Sequence, residues 1–203
     1  MRSFVEDYIQ SMAEQLRGVS PEAVERIGRR LLETTERGAQ ILLAGNGGSA
    51  STASHFACDL GKTVLGAKPE LRTSRFRAVS LADNVALLTA WANDVSYHAV
   101  FAEQVNMLGR PGDILFVISA SGNSPNVVEA VRAARALEMQ TVAFLGSDGG
   151  ELRELVDAYV VVPCDDFGHI ESAHLVLSHL LTHWLRDRLD EHAHAGATGA
   201  EVS

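Results

Sequence analysis

Hydrophobic positions along the chain change period near residue 38. From Phe4 to Leu32 they recur at helical spacing: Phe4, Tyr8, Ile9, Met12 and Leu16, then Val24, Ile27, Leu31 and Leu32. The stretch GVSPE (18–22) separates the two sets, with Ser20 a favourable N-cap and Pro21 a favourable first helical residue. Residues 1–37 are therefore expected to form a helical hairpin, an element suited to packing against another subunit. Beyond it come short, almost wholly apolar runs: QILLAG (40–45), RAVSLA (77–82), DILFVISA (113–120), TVAFLG (141–146) and AYVVVP (158–163). Helical stretches starting near Ser49, Asn84, Ser124 and Gly149 lie between them, and a last long helix covers about 168–190. Strands with little polar alternation, separated by helices, form parallel sheets buried on both faces. The expectation is an α/β three-layer sandwich around a central five-stranded parallel sheet, forming a single domain over 1–190. The tail EHAHAGATGAEVS (191–203) is small and polar and is expected to be disordered.

Composition narrows the partners. The 203 residues are 46% hydrophobic and carry a formal net charge of −9, which argues against broad attraction to nucleic acid or to anionic membranes. An acidic chain can still hold a phosphorylated small molecule, but local N–H and hydroxyl donors must do it. The two cysteines, Cys58 and Cys164, form no CxxC pair and fit a reducing compartment. No apolar run approaches the roughly 18 residues that would mark a transmembrane helix. A cytoplasmic location is expected.

Ligands of parallel α/β sheets bind at the C-terminal ends of the strands, beside helix N-termini. Two loops qualify: GNGGSA (45–50) and SASGNSPN (119–126). Glycine lets backbone N–H groups come close to an anion, and serine adds hydroxyl donors. Taken singly, either loop could be an ordinary turn and helix cap. Gly45, Gly47 and Ala50 also match G-x-G-x-x-A, a dinucleotide pattern, but the acidic residue expected about 20 positions on is poorly supplied by Asp83. GKT (61–63) resembles the end of a P-loop, whose opening glycine would fall on Phe56.

Acid/base and metal chemistry lies just beyond the loops. His55 and Asp59 are four residues apart and project from one helix face, roughly 40° apart. The last helix embeds Glu171, His174, His179 and His183 among leucines. Histidine with carboxylate can bind Zn²⁺, and histidine alone can serve as general acid or base. Glu171 and His179 are eight residues apart, roughly 12 Å along a helix and about 80° around it. Glu171 therefore reaches a shared metal only when extended, and could instead touch substrate. His174, His183, His192 and His194 read as structural or solvated.

The stretches GNGGSA…HFACDL, WANDVSYHAVF, ISASGNSPNVVEAVRAAR and IESAHLVLSHLL, in that order over residues 5–190, resemble the SIS (sugar isomerase) fold and, within it, the phosphoheptose isomerase family. The resemblance implies conversion of sedoheptulose 7-phosphate to a D-glycero-heptose 7-phosphate, one Zn²⁺ per subunit, and a homotetramer built through N-terminal helices. It places Asn46, Gly47, Gly48, Ser49, Asn93 and Asp94 against substrate. Ser119, Ser121 and Ser124 would hold the phosphate, with Ala120 and Glu171 beside the substrate. His55, Asp59, Glu171 and His179 match the metal positions. Well-known members carry Glu where this chain has Asp59 and Gln where it has Glu171. The family also includes a non-catalytic protein that binds the replication initiator, so a sugar-phosphate-binding or partner-docking module is the competing reading.

An aldose–ketose isomerase moves a proton between C1 and C2 through an enediol. That needs a base at carbon, an acid at oxygen and stabilisation of the developing oxyanion. Asp59 and His179 are the expected proton-transfer pair, with Glu171 third.

Overall fold

The computed structural model describes residues 1–66 and 75–200. Two helices, α1 (Arg2–Arg17) and α2 (Pro21–Glu36), precede the sheet. As the sequence suggests, Ser20 caps α2, its hydroxyl accepting from the Ala23 N–H at 3.2 Å, and Pro21 fills the first position. Helix α1 buries none of its residues. It is tied down where the Tyr8 ring stacks on His169, with ring centres 4.3 Å apart.

The strands are β1 (Gln40–Gly45), β2 (Arg77–Ser80), β3 (Ile114–Ser119), β4 (Gln140–Gly146) and β5 (Ala158–Val162). All pair in parallel, in the order β2-β1-β3-β4-β5. Side chains of the inner strands alternate between two apolar layers. Ile41, Leu43, Ile114, Phe116, Val142 and Phe144 face the side covered by α2 and the last helix, α8 (Phe167–Ala200). Leu42, Ala44, Leu115, Val117, Ala143 and Leu145 face the other side. Both faces being dry is what made these strands read as continuous apolar runs.

The second layer is built from α4 (Val85–Asp94), α5 (Ala99–Leu108) and α6 (Pro125–Ala136). Sequence periodicity gives one helical stretch from Asn84; the structure has two. The N–H groups of Val95 and Ser96 both fall back on the Trp91 carbonyl, ending α4 before Tyr97. The helix expected near Gly149 reduces to α7 (Leu152–Leu155), because positive φ at Gly149 and Gly150 holds that segment in turns. The last helix ends at Ala200, past residue 190 where the sequence pattern closes it. Residues 191–200 contain no proline and four alanines, so nothing in them forces a stop at 190. Among the described residues no helix is long and apolar enough to cross a membrane.

Helix α3 (Gly47–Gly61) leaves the top of β1 and packs alongside α8, so both run away from the C-terminal edge of the sheet. The connection from β1 goes to one side, to β2, while β3 continues to the other. The loops after β1 and β3 thus flank the point where the strand order reverses, the place where open α/β sheets bind ligands.

Candidate functional site

The two loops meet through a pair of amides. Asn46 donates to Asn126 Oδ1 at 2.8 Å, and Asn126 donates back to Asn46 Oδ1 at 2.9 Å. The Tyr97 hydroxyl donates to the same Asn46 oxygen at 3.0 Å. Beside this clamp lies a cavity of about 150 Å³ lined by Asn46, Ser49, Ser119, Ala120, Ser121, Ser124, Phe167 and Glu171. Seven of the expected substrate residues are thereby brought together.

The loop after β3 is held by its own backbone. The Gly122 N–H donates to Ser119 Oγ at 3.1 Å, and the Asn123 N–H to Ser121 Oγ at 3.2 Å. Gly122 has φ +64, and a Cβ there would strike the Gly149 carbonyl, so only glycine lets this loop lie against the turn that follows β4. Gly47 is likewise at positive φ, +53, where the chain turns into α3. At Gly48 a Cβ would collide with the Glu171 carboxylate, which lies against the first turn of α3.

Farther along α3 a second cluster forms. His55 Nε2 and His179 Nε2 are 2.9 Å apart, and Asp59 Oδ2 lies 3.5 Å from the first and 3.8 Å from the second. Bonds of about 2.0 Å meeting at tetrahedral angles put neighbouring donors about 3.3 Å apart, so the triangle has the size of a metal's ligand face. Two imidazoles and a carboxylate are also a fitting donor set for zinc, and they leave a position open for water or substrate. Asp59 is buried while both imidazoles are half exposed, so the open side faces outward.

Glu171 does not join this group: only His55, Asp59 and His179 bring ligand atoms within 4.8 Å of one another among the described residues. The eight-residue spacing explains the difference from the four-residue metal set expected from the sequence. Glu171 instead lines the serine cavity, beside Gly48. Asn93 and Asp94 are exposed at the end of α4, with Asn93 donating to Asp94 at 2.8 Å, and do not line the cavity. Three contributors escaped sequence reasoning. Asn126 follows the serine loop in the first turn of α6, a position open to suspicion; Tyr97 and Phe167 carried no signal. His174 is fully buried on α8, its ring against Phe144 and its Nε2 3.1 Å from the Leu145 carbonyl oxygen, in keeping with the structural reading. Burial pushes its pKa down to about 4.

The architecture has counterparts among known proteins. The SIS domain family matches residues 6–146. A phosphoheptose isomerase of Helicobacter pylori is 41% identical over 172 residues, covering 85% of this chain and 86% of that protein. The chain belongs to the phosphoheptose isomerase family. A Mycobacterium tuberculosis phosphoheptose isomerase is also 41% identical, over 79% of this chain and 80% of its own. The solved phosphoheptose isomerase of Neisseria gonorrhoeae superposes with a TM-score of 0.83 at 31% identity, covering 92% of this chain and 98% of that one. Relatives named as isomerases do not favour the non-catalytic reading. In this family member, α3 and α8 each contribute to both places: Ser49 and Glu171 to the serine cavity, and His55, Asp59 and His179 to the second cluster.

Proposed function

We propose that the chain interconverts sedoheptulose 7-phosphate and a D-glycero-heptose 7-phosphate through an enediol. The observation that carries this reading is the arrangement along α3: an anion-sized, serine-lined cavity at its start and an acid/base cluster two turns on. Gly48 and His55 are seven residues apart, about 10 Å along the helix. A phosphorylated chain of several carbons spans such a distance, with its tail in the cavity and its carbonyl end at the cluster.

Ser119, Ser121 and Ser124, with the N-terminus of α6, hold the phosphate. Anchoring the tail fixes the reacting carbons against the cluster and removes most of the entropic cost of alignment. Asp59 takes the proton from carbon through the carboxylate oxygen that does not face the imidazoles, and His179 exchanges one with oxygen only while its Nε2 is free of a metal. His55, Asp59 and His179 would hold a Zn²⁺ ion, one per subunit. When bound, zinc supplies Lewis-acid polarisation of the carbonyl and hydroxyl.

Support for a homotetramer comes from the uncovered apolar surface on the N-terminal hairpin and α8. Phe4 and Ile9 are 67% and 62% exposed, and a 370 Å³ groove between α2 and α8 is lined by Leu16, Val24, Leu180 and Trp184. A cytoplasmic location fits two unpaired cysteines and a phosphosugar substrate.

The test is proton NMR of sedoheptulose 7-phosphate with the protein in D₂O, with and without chelator. New aldose signals carrying deuterium at C2, lost on chelation and restored by zinc, are the expected result. Absence of exchange in a folded, zinc-loaded sample would refute the assignment.

A further inference from the structure

The Asn46 amide is engaged more fully than a clamp between two loops requires. A primary amide has two N–H donors and room for two hydrogen bonds at its oxygen. Asn46 Oδ1 receives both, from the Asn126 amide at 2.9 Å and from the Tyr97 hydroxyl at 3.0 Å. Asn46 Nδ2 gives one hydrogen to Asn126 Oδ1 at 2.8 Å, and its second has no partner among the described residues. Of these three side chains, only Asn46 lines the cavity with Ser119, Ser121 and Ser124, so the spare N–H is the donor it can offer there.

The reciprocal pair alone does not secure that donor. Neither amide can turn by itself, but both turned over together would keep the two bonds between them and put the Asn46 carbonyl where its N–H had been. Ionised phosphate oxygens only accept hydrogen bonds, so the turned pair would oppose a phosphate. Tyr97 decides between the two arrangements. A phenol is a better donor than acceptor, because its oxygen lone pair is delocalised into the ring, and a hydrogen bond received at an amide carbonyl strengthens the same amide's N–H as a donor. Asn126 is only 2% exposed, so water does not take over its share of the pair. The break after α4 is what brings the phenol here: the Val95 and Ser96 N–H groups return to the Trp91 carbonyl, and α5 begins only at Ala99.

We propose that Tyr97 is a positioning residue of the phosphate cavity: by donating to Asn46 it fixes that amide so that an N–H, and not the carbonyl, is offered to the phosphate. Tyr97 acts through Asn46 and does not itself line the cavity.

This inference rests on the serine loop being the phosphate site. It is tested by titration calorimetry of the full chain with methyl phosphate, on a double-mutant cycle of Tyr97→Phe and Asn46→Ala, with a urea midpoint recorded for each variant. Tyr97 is half exposed and phenylalanine keeps its ring, so the fold is retained; loss of the hydroxyl should weaken methyl phosphate by about fivefold. In the Asn46→Ala background the same change should have no effect. Equal weakening in both backgrounds would make the part of Tyr97 merely structural, and no weakening with Asn46 present would show that the amide needs no orienting; either overturns the proposal alone. The side-chain amide of Asn46 in the proton–nitrogen correlation spectrum of wild type gives a reading that needs no Asn46 variant. One of its two protons should shift on adding methyl phosphate, and an unmoved pair overturns the proposal. Methyl phosphate that ignores Ser124→Ala, or fails to bind wild type, overturns the phosphate-loop reading and this proposal with it.

Discussion

His174 makes the fold sensitive to acid in a way that can be worked out from its surroundings. The imidazole has no accessible surface, its Nε2–H donates to the Leu145 carbonyl, and Nδ1 has no hydrogen-bond partner among the described residues. Desolvation is the dominant influence, partly offset by the Leu145 bond, and it lowers the pKa from 6.5 to about 4. The unfolded chain therefore takes up this proton near pH 6.5, and the folded chain not until about 4. Between those values the unfolded state holds more protons, so stability falls as the pH falls, and the contribution levels off outside the window. Each pH unit is worth about 1.4 kcal/mol, so the whole span amounts to about 3 kcal/mol. Urea unfolding at fixed protein concentration, from pH 8 to pH 4, reads the slope. His174→Gln can still donate to the Leu145 carbonyl but cannot titrate. Wild type should lose about 3 kcal/mol more than the variant on going from pH 7 to 4. Parallel curves for the two proteins would show that the acid response arises elsewhere.

Gly122→Ala should destabilise the chain by more than about 1 kcal/mol and weaken phosphosugar binding, since it opposes φ +64 and drives a methyl group into the Gly149 carbonyl; urea midpoints and KM report the two effects. Asp59→Asn should retain at least about tenfold less zinc after dialysis, measured by elemental analysis, because a neutral amide replaces the anionic donor facing both imidazoles.

The sheet was legible because burial on both faces erases polar alternation, which left five apolar runs in plain view, and because Ser20, Asn84 and Ser124 stand at three helix starts. The break at 95–98 was not, since Val95 and Ser96 end α4 through bonds to Trp91 that no local residue preference announces. In the site, His55 and Asp59 were readable as a four-residue pair on one helix. Their convergence with His179, 124 residues away, depends on α3 and α8 running side by side. Sequence spacing did carry the warning about Glu171, which lies too far up α8 from His179 to share its cluster. Tyr97 contributes through a hydroxyl reaching across from the α4–α5 connection to Asn46, a relation with no periodicity to betray it.

The reciprocal amides of Asn46 and Asn126 have a thermodynamic consequence. Each uses its donor and its acceptor on the other, so neither can turn to follow an incoming ligand. The two loops are ordered when the chain folds, and the entropy of shaping the cavity is spent then rather than at each encounter. A well-matched ligand enters a mould that is already set, and a poorly matched one finds no alternative arrangement to settle into. Discrimination is thereby invested in a rigid shape, with no closing motion required to provide it.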